Sequence, residues 1–181
     1  ALADIRPLKT DDAEPLWRLG WTAIMIGDGC LRGADARFTA KSPSRVLTDL
    51  PPIPPECRLV MMGNRTTHKI ALLRRRRDNP LVQSLKRDGL WNLYSHEKFV
   101  PSWVFRQPPE AIEYFLKYLW MTDGHGWKRV RPDSRQSTYT STSVQLANDV
   151  KRLLWRLGVR ASAIRNRTTS PPSMVRGRPV I

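Results

Sequence analysis

Asp28 and Asp123 are the residues whose type and setting could do chemistry. Each closes an apolar run of helical length and is followed by glycine: Trp21 to Gly29 reads WTAIMIGDG, and Leu116 to Gly124 reads LKYLWMTDG. An aspartate in the last turn of a helix sits where the macrodipole is already negative, so two such placements cost stability unless positive charge offsets them. A divalent metal would do so. The glycines have an independent reason, because a residue just past a helix C-terminus usually takes a left-handed conformation that glycine adopts without strain. One copy of the pattern reads as a capped core helix with an incidental carboxylate; two copies in one chain argue against that. Gly20, Ala23 and Gly27, spaced by three and four, mark a face where another helix backbone can approach closely. Two such helices side by side would set Asp28 next to Asp123.

The elements that must position these residues come in the same order twice. From about Glu14, with Pro15 suited to a first turn, a helix is expected to run to Asp28. Leu31 to Gly33 and Arg37 to Lys41 then read as a short hairpin. Ser44 to Leu50 reads as a brief helix ended by the proline-rich Pro51 to Pro55, and Arg58 to Met62 and Thr67 to Arg74 as two strands. Asn79-Pro80 opens a helix through Lys86. The second pass begins at Gln107-Pro108-Pro109, with Ile112, Phe115, Leu116 and Leu119 lining one face of a helix to Asp123. Strands near Trp127 to Val130 and Ser137 to Thr142 follow. Ser143 caps a helix through Leu157 that Gly158 ends; Val159 to Ile164 reads as a strand with Met174 to Ile181 as its partner and Thr168 to Ser173 as a loop. The fold class is α+β, with residues 1–13 a linker, 14–106 a first half with a connecting segment, and 107–181 a second half.

Charge names the partner class. The 181 residues carry 31 Lys and Arg against 16 Asp and Glu, a formal +15, and an excess of that size usually means a polyanion, most often nucleic acid. It is uneven: residues 125–181 hold 12 basic and 2 acidic residues. Arg37, Thr39 and Lys41 alternate with Phe38 and Ala40, so one side of that ribbon would meet the helices and the other would be polar. Gln136, Thr138 and Thr140 alternate similarly. A two-stranded ribbon fits the major groove, where Arg and Gln distinguish base pairs by paired hydrogen bonds. Arg74 and Arg75, opening a run of four arginines, would hold phosphates at the edge; Lys128, Arg131, Arg135, Arg165 and Arg167 are further DNA-binding candidates. No apolar run reaches membrane-spanning length and no signal-peptide pattern is present. Two cysteines, Cys30 and Cys57, read as free thiols of a reducing, cytoplasmic setting. With His68, His96 and His125 they show no zinc-ligand spacing. The chain opens on Ala1 and reads as a domain cut from something longer.

The two motifs, residues 21 to 29 and 116 to 124, resemble the signature helices of the LAGLIDADG (dodecapeptide) homing endonucleases of the single-chain kind. The stretch Asp88 to Asp123, with GLWNLYSHEKFVPSWVF and FLKYLWMTDG, looks like the endonuclease of inteins in bacterial replicative DNA helicases. The resemblance implies two pseudo-symmetric αββαββα halves packed through their signature helices, with antiparallel sheets forming a saddle over DNA. It implies that Asp28 and Asp123 are catalytic and that Lys98, just ahead of Val100-Pro101, is a functional lysine able to polarise a water or stabilise phosphate charge. It further implies Mg2+, with Mn2+ able to substitute, held by Asp28, Asp123 and the carbonyls of Gly27 and Thr122. The substrate would be one long, rare double-stranded site, cut on both strands across the minor groove to leave short 3′ overhangs. The protein would be a monomer, a pseudo-dimer within one chain, associated with a bacterial nucleoid.

This chain departs from the family at two places. Tyr118 stands where a small residue is usual, and Ala23 opposite is expected to make room for it. A second catalytic lysine is not evident; Lys128 is the nearest candidate. Splicing chemistry is missing, since there is no starting Cys or Ser nucleophile, no Thr-x-x-His block and no terminal His-Asn, which leaves fusion to a splicing domain open. The rival reading is a catalytically inactive DNA-binding module on the same fold, such as a transcription regulator or an RNA maturase. The pair Asp28 and Asp123 separates the two, because a binding protein gains nothing from two carboxylates facing phosphates.

Overall fold

Two helices form the spine. α1 (Leu16–Ile26) and α4 (Pro109–Asp123) pack along each other more extensively than any other pair of helices in the computed structural model, which describes residues 13–40, 45–64, 66–74, 78–125, 137–162, 174–175 and 178–179. α1 is buried on every side from Arg18 to Ile26, the pattern of a helix central to its core. It stops two residues earlier than the sequence reading expects: the Gly27 N–H donates to Ala23 O at 3.1 Å, and Asp28 lies in the turn beyond. Asp123, by contrast, is the last residue of α4.

Glycine serves close approach here, not left-handed backbone. Neither glycine that follows an aspartate is left-handed: Gly29 has no positive φ and Gly124 is extended at φ −84°, ψ 139°, which corrects the expectation of left-handed caps. A Cβ on Gly27 would lie 1.9 Å from Thr122 Oγ1, and one on Gly20 would lie 2.4 Å from Pro51 Cβ and 3.2 Å from Tyr118 Cδ2. Gly20 is thus a small residue found against Tyr118, which is itself buried. The glycines that follow the aspartates fold back on their own helices: a Cβ on Gly29 would meet the Met25 backbone at 2.4 Å, and one on Gly124 would meet Trp120 Cδ1 at 2.2 Å.

In the first half, β1 (Gly29–Cys30), β2 (Arg37–Thr39), β3 (Cys57–Met61) and β4 (Thr67–Leu72) form one antiparallel sheet in the order β1-β2-β4-β3. The first strand starts at the motif glycine, two residues before the expected Leu31 to Gly33; Leu31 drops into the core and Gly33 takes φ +106° in the turn. Phe38 and Ile70 turn inward, and α3 (Pro80–Arg87) adds Leu81 and Leu85 to the same core. Asn79 caps α3 by accepting from Leu81 N (3.0 Å) and Val82 N (3.4 Å). Between β2 and β3 lies α2 (Arg45–Thr48). A buried polar network ties α1 to α3 and to the connecting segment: Arg18 donates to Ser84 Oγ and Asp88 Oδ1, both at 2.9 Å, and pairs with Glu14. Trp103 Nε1 donates to Asp88 Oδ2 at 2.9 Å. The connecting segment adds two 3-10 turns, Ser95–Glu97 and Ser102–Arg106, that hydrophobic periodicity does not mark.

The second half repeats the order. β5 (Gly124–His125) pairs antiparallel with β6 (Thr138–Tyr139), and α5 (Val144–Arg156) follows, its Ser143 cap accepting from Leu146 N at 3.1 Å. Gly158 (φ +74°) ends that helix in the left-handed conformation expected of it. Residues 159–162 are not strand, and β7 (Met174–Val175) pairs with β8 (Arg178–Pro179); the rest of the strand expected over Val159 to Ile164, the loop over Thr168 to Ser173 and the remainder of Met174 to Ile181 lie outside the described residues. The strand expected near Trp127 to Val130 lies outside the described residues. Helices and small antiparallel sheets together make the fold α+β, as expected. No helix among the described residues is long and apolar enough to cross a membrane.

Candidate active site

Asp28, just beyond the end of α1, and Asp123, the last residue of α4, lie close enough to interact through their charges, at helix ends held together by the Gly27–Thr122 approach. The Asp28 residue keeps a side open to solvent, yet its carboxyl is held above the ordinary 3.8. Loss of hydration is the largest cause and the charge of Asp123 the next, while Lys98 pulls the other way. Two carboxylates that disfavour each other's charge are an arrangement that needs a cation.

Lys98 is the protein's own answer to part of that need. It is 4 % exposed, and its Nζ donates to Met25 O (3.2 Å), Gly27 O (3.1 Å) and Gly29 O (2.9 Å). These carbonyls belong to the last turn of α1 and the turn carrying Asp28, so all three ammonium N–H groups cap the helix end whose dipole is negative. Burial pulls the Lys98 pKa below its ordinary value, opposed by Asp123, Asp28 and Cys30 in that order. Its own backbone is fixed in turn: Ser143 Oγ donates to Lys98 O at 2.6 Å while capping α5, and Val100 N donates to Asp149 Oδ2 at 3.1 Å. The lysine therefore joins the first aspartate turn to the first helix turn of the second half's α5.

The donor set suits a hard divalent cation. Among the described residues no group of three His, Cys, Asp or Glu could hold a metal ion; the oxygen donors at the ends of α1 and α4 are two carboxylates and the nearby backbone carbonyls. Mg2+ commonly binds in that way, through one or two carboxylates plus substrate phosphate. The Gly27 carbonyl already accepts from Lys98 and retains a second lone pair. Thr122 lies in the last turn of α4, where carbonyls lack helical partners, and its hydroxyl donates to Leu119 O at 2.7 Å.

Of the DNA-contact candidates, Arg37 and Thr39 lie on the sheet face away from the core, opposite Lys69 and Thr67. Asp35 bridges the first pair, accepting from Arg37 Nη2 at 3.1 Å and Lys69 Nζ at 3.2 Å. Burial would raise the Asp35 carboxyl, but those two cations together hold it below 3.8. Lys69 and Arg58, which shares that face through the Arg58↔Ala71 register, are basic positions that the sequence reading missed. The alternation of Lys69 with buried His68 and Ile70 is the signal that finds the first. Arg74 and Thr138 are exposed. Lys41, Arg75, Lys128, Arg131, Arg135, Gln136, Arg165 and Arg167 lie outside the described residues. Tyr139 is a second omission: it stands on β6 directly opposite Gly124, beside the Asp123 helix end. Cys30 and Cys57 are free thiols.

Residues 110–176 match the family model described as a LAGLIDADG-like domain, which takes in the second motif and the elements up to β7. Curated relatives include the replicative DNA helicase DnaB of Rhodothermus marinus, 36 % identical over 151 residues, covering 76 % of this chain and 16 % of that protein. The replicative DNA helicase DnaB of Synechocystis sp. is 45 % identical over 84 residues, covering 46 % of this chain and 10 % of that protein. Its counterpart from Nostoc sp. is 43 % identical over 88 residues, covering 46 % of this chain and 10 % of that protein. The chain spans only about a tenth to a sixth of the length of these relatives.

Proposed function

We propose that this chain, which carries a LAGLIDADG-like domain and is similar to parts of replicative DNA helicases, is a site-specific, intein-associated homing endonuclease that hydrolyses both strands of a long DNA duplex. The observation that carries this reading is the meeting of Asp28 and Asp123 at the ends of two packed helices, beside a buried lysine.

Asp28, Asp123 and the carbonyls of Gly27 and Thr122 would hold Mg2+ or Mn2+. When bound, that ion neutralises charge on the scissile phosphate and raises the acidity of an attacking water. With an ion bound, the mutual repulsion of the two aspartates would be relieved, and the close packing of α1 on α4 holds the two helix ends together. Lys98 positions the Asp28 turn through three carbonyls and places a positive charge beside both carboxylates, where it stabilises charge building on phosphate. Arg37, Lys69 and Arg58 give the sheet a basic outer face for the duplex, with the basic C-terminal stretch adding phosphate contacts. Similarity to helicase segments supports a helicase gene as the place where the target lies. One chain with two halves makes a monomer sufficient for two strands.

A catalytically inactive DNA-binding module is the second reading, favoured by the engagement of every Lys98 N–H with backbone. Incubating a supercoiled plasmid bearing an insertion-free replicative helicase gene with Mg2+ separates the two. Linear product with wild type, absent with Asp28→Asn and Asp123→Asn, supports the endonuclease. Binding without cutting by wild type supports the module and refutes the enzyme.

A further inference from the structure

The two halves differ at one matched position. Tyr139 stands opposite Gly124, the residue after Asp123, and its ring packs on Trp120 with centroids 5.4 Å apart. The matching place in the first half, opposite Gly29 and thus after Asp28, is Phe38, packed on Trp21 at 5.6 Å. A hydrocarbon ring fills that place in one half, so packing does not call for the hydroxyl in the other. Nevertheless the Tyr139 hydroxyl is buried, and among the described residues it has no hydrogen-bond partner. A buried, unpaired donor is costly to keep. Its surroundings say what it waits for: the pairing with Gly124 sets the ring beside the Asp123 helix end, and Asp123 and Asp28 are both near enough to act on it through their charge. A neutral O–H beside two carboxylates can donate to an oxygen anion brought between them, whereas a phenolate there would be repelled.

We propose that Tyr139 is a further catalytic residue, whose hydroxyl donates a hydrogen bond to a non-bridging oxygen of the DNA phosphate seated at Asp28 and Asp123. This rests on the endonuclease reading for its substrate and adds a contact that the first half lacks. The hydroxyl acts as a hydrogen-bond donor alone; it strengthens the field around the phosphate as charge builds there.

The chain has four tyrosines, so protein labelled with 13C at tyrosine Cζ gives a simple spectrum in which Tyr139→Phe assigns the Tyr139 signal. Titration with helicase-gene junction duplex in Ca2+ should move that signal and leave Tyr114 and Tyr118 in place. Tyr139→Phe should melt at or above the wild-type temperature and cut the duplex in Mg2+ at least tenfold more slowly. A Tyr139 signal unmoved by saturating duplex, a Phe variant that cuts at the wild-type rate, or one that melts well below wild type would each overturn the assignment. If wild type fails to cut, the endonuclease reading falls, and movement of the Tyr139 signal alone then decides the contact.

Discussion

Lys98→Met isolates the ammonium that caps α1 while keeping most of the buried stem. The change deletes three hydrogen bonds, to Met25, Gly27 and Gly29 carbonyls. The Met25 residue is fully buried, so its carbonyl has no route to water, and an orphaned buried acceptor costs about 1–3 kcal/mol. Loss of a partly buried cation from a helix C-terminus costs up to about 2 kcal/mol more. Against this, methionine escapes the desolvation that lowers the lysine pKa. The balance is a destabilisation of about 2–3 kcal/mol, or about 5–10 °C in melting temperature for a chain of this size. Lys98→Arg should recover only part of it, because a planar fork does not converge on three carbonyls as an ammonium does. Urea unfolding of the three proteins measures the difference. A methionine variant within about 0.5 kcal/mol of wild type would refute the capping account.

Gly27→Ala should destabilise by about 1–3 kcal/mol through overpacking, since the new Cβ meets Thr122 Oγ1 at 1.9 Å; thermal unfolding checks it, and the displaced helix ends should slow cleavage as well. Asp149 carries a raised pKa, from burial first, opposed by the Val100 N–H and Arg152. Its native carboxyl therefore holds a proton that the unfolded chain has lost above 3.8, and wild-type stability falls as pH rises through that interval. Asp149→Asn cannot titrate, so its stability relative to wild type should increase as pH rises above about 4 in urea melts; a constant difference would contradict the burial argument. Duplex affinity should fall by about a thousandfold or more between about 50 and 200 mM salt if six or more phosphates are contacted. Filter binding reads this slope, and a flat one would remove the basic face from the interface.

Much of the architecture was legible because it rests on local signals. Asn79 and Ser143 announce their helices by chemistry that the structure uses directly, and Phe38 and Ala40 alternate into the core as their spacing implies. The end of α1 was not legible, because the helix yields at Gly27 to a tertiary demand, the approach of Thr122, that a run of apolar residues does not encode. The same holds for the motif glycines: their left-handed role is the common one, while here the constraint is steric. Lys98 could be singled out only by resemblance; its capping role needs a residue about seventy positions away and emerges once the chain is folded. Tyr139 escaped notice because its interest lies in a cross-strand pairing and in the contrast with Phe38, neither of which is visible along the chain.

The central claim is that the ends of α1 and α4 form one cation site. Electron paramagnetic resonance titration of Mn2+ into wild type, Asp28→Asn and Asp123→Asn tests it directly. The account predicts that either single substitution abolishes the ion binding seen in wild type. Undiminished Mn2+ binding in both variants would contradict it.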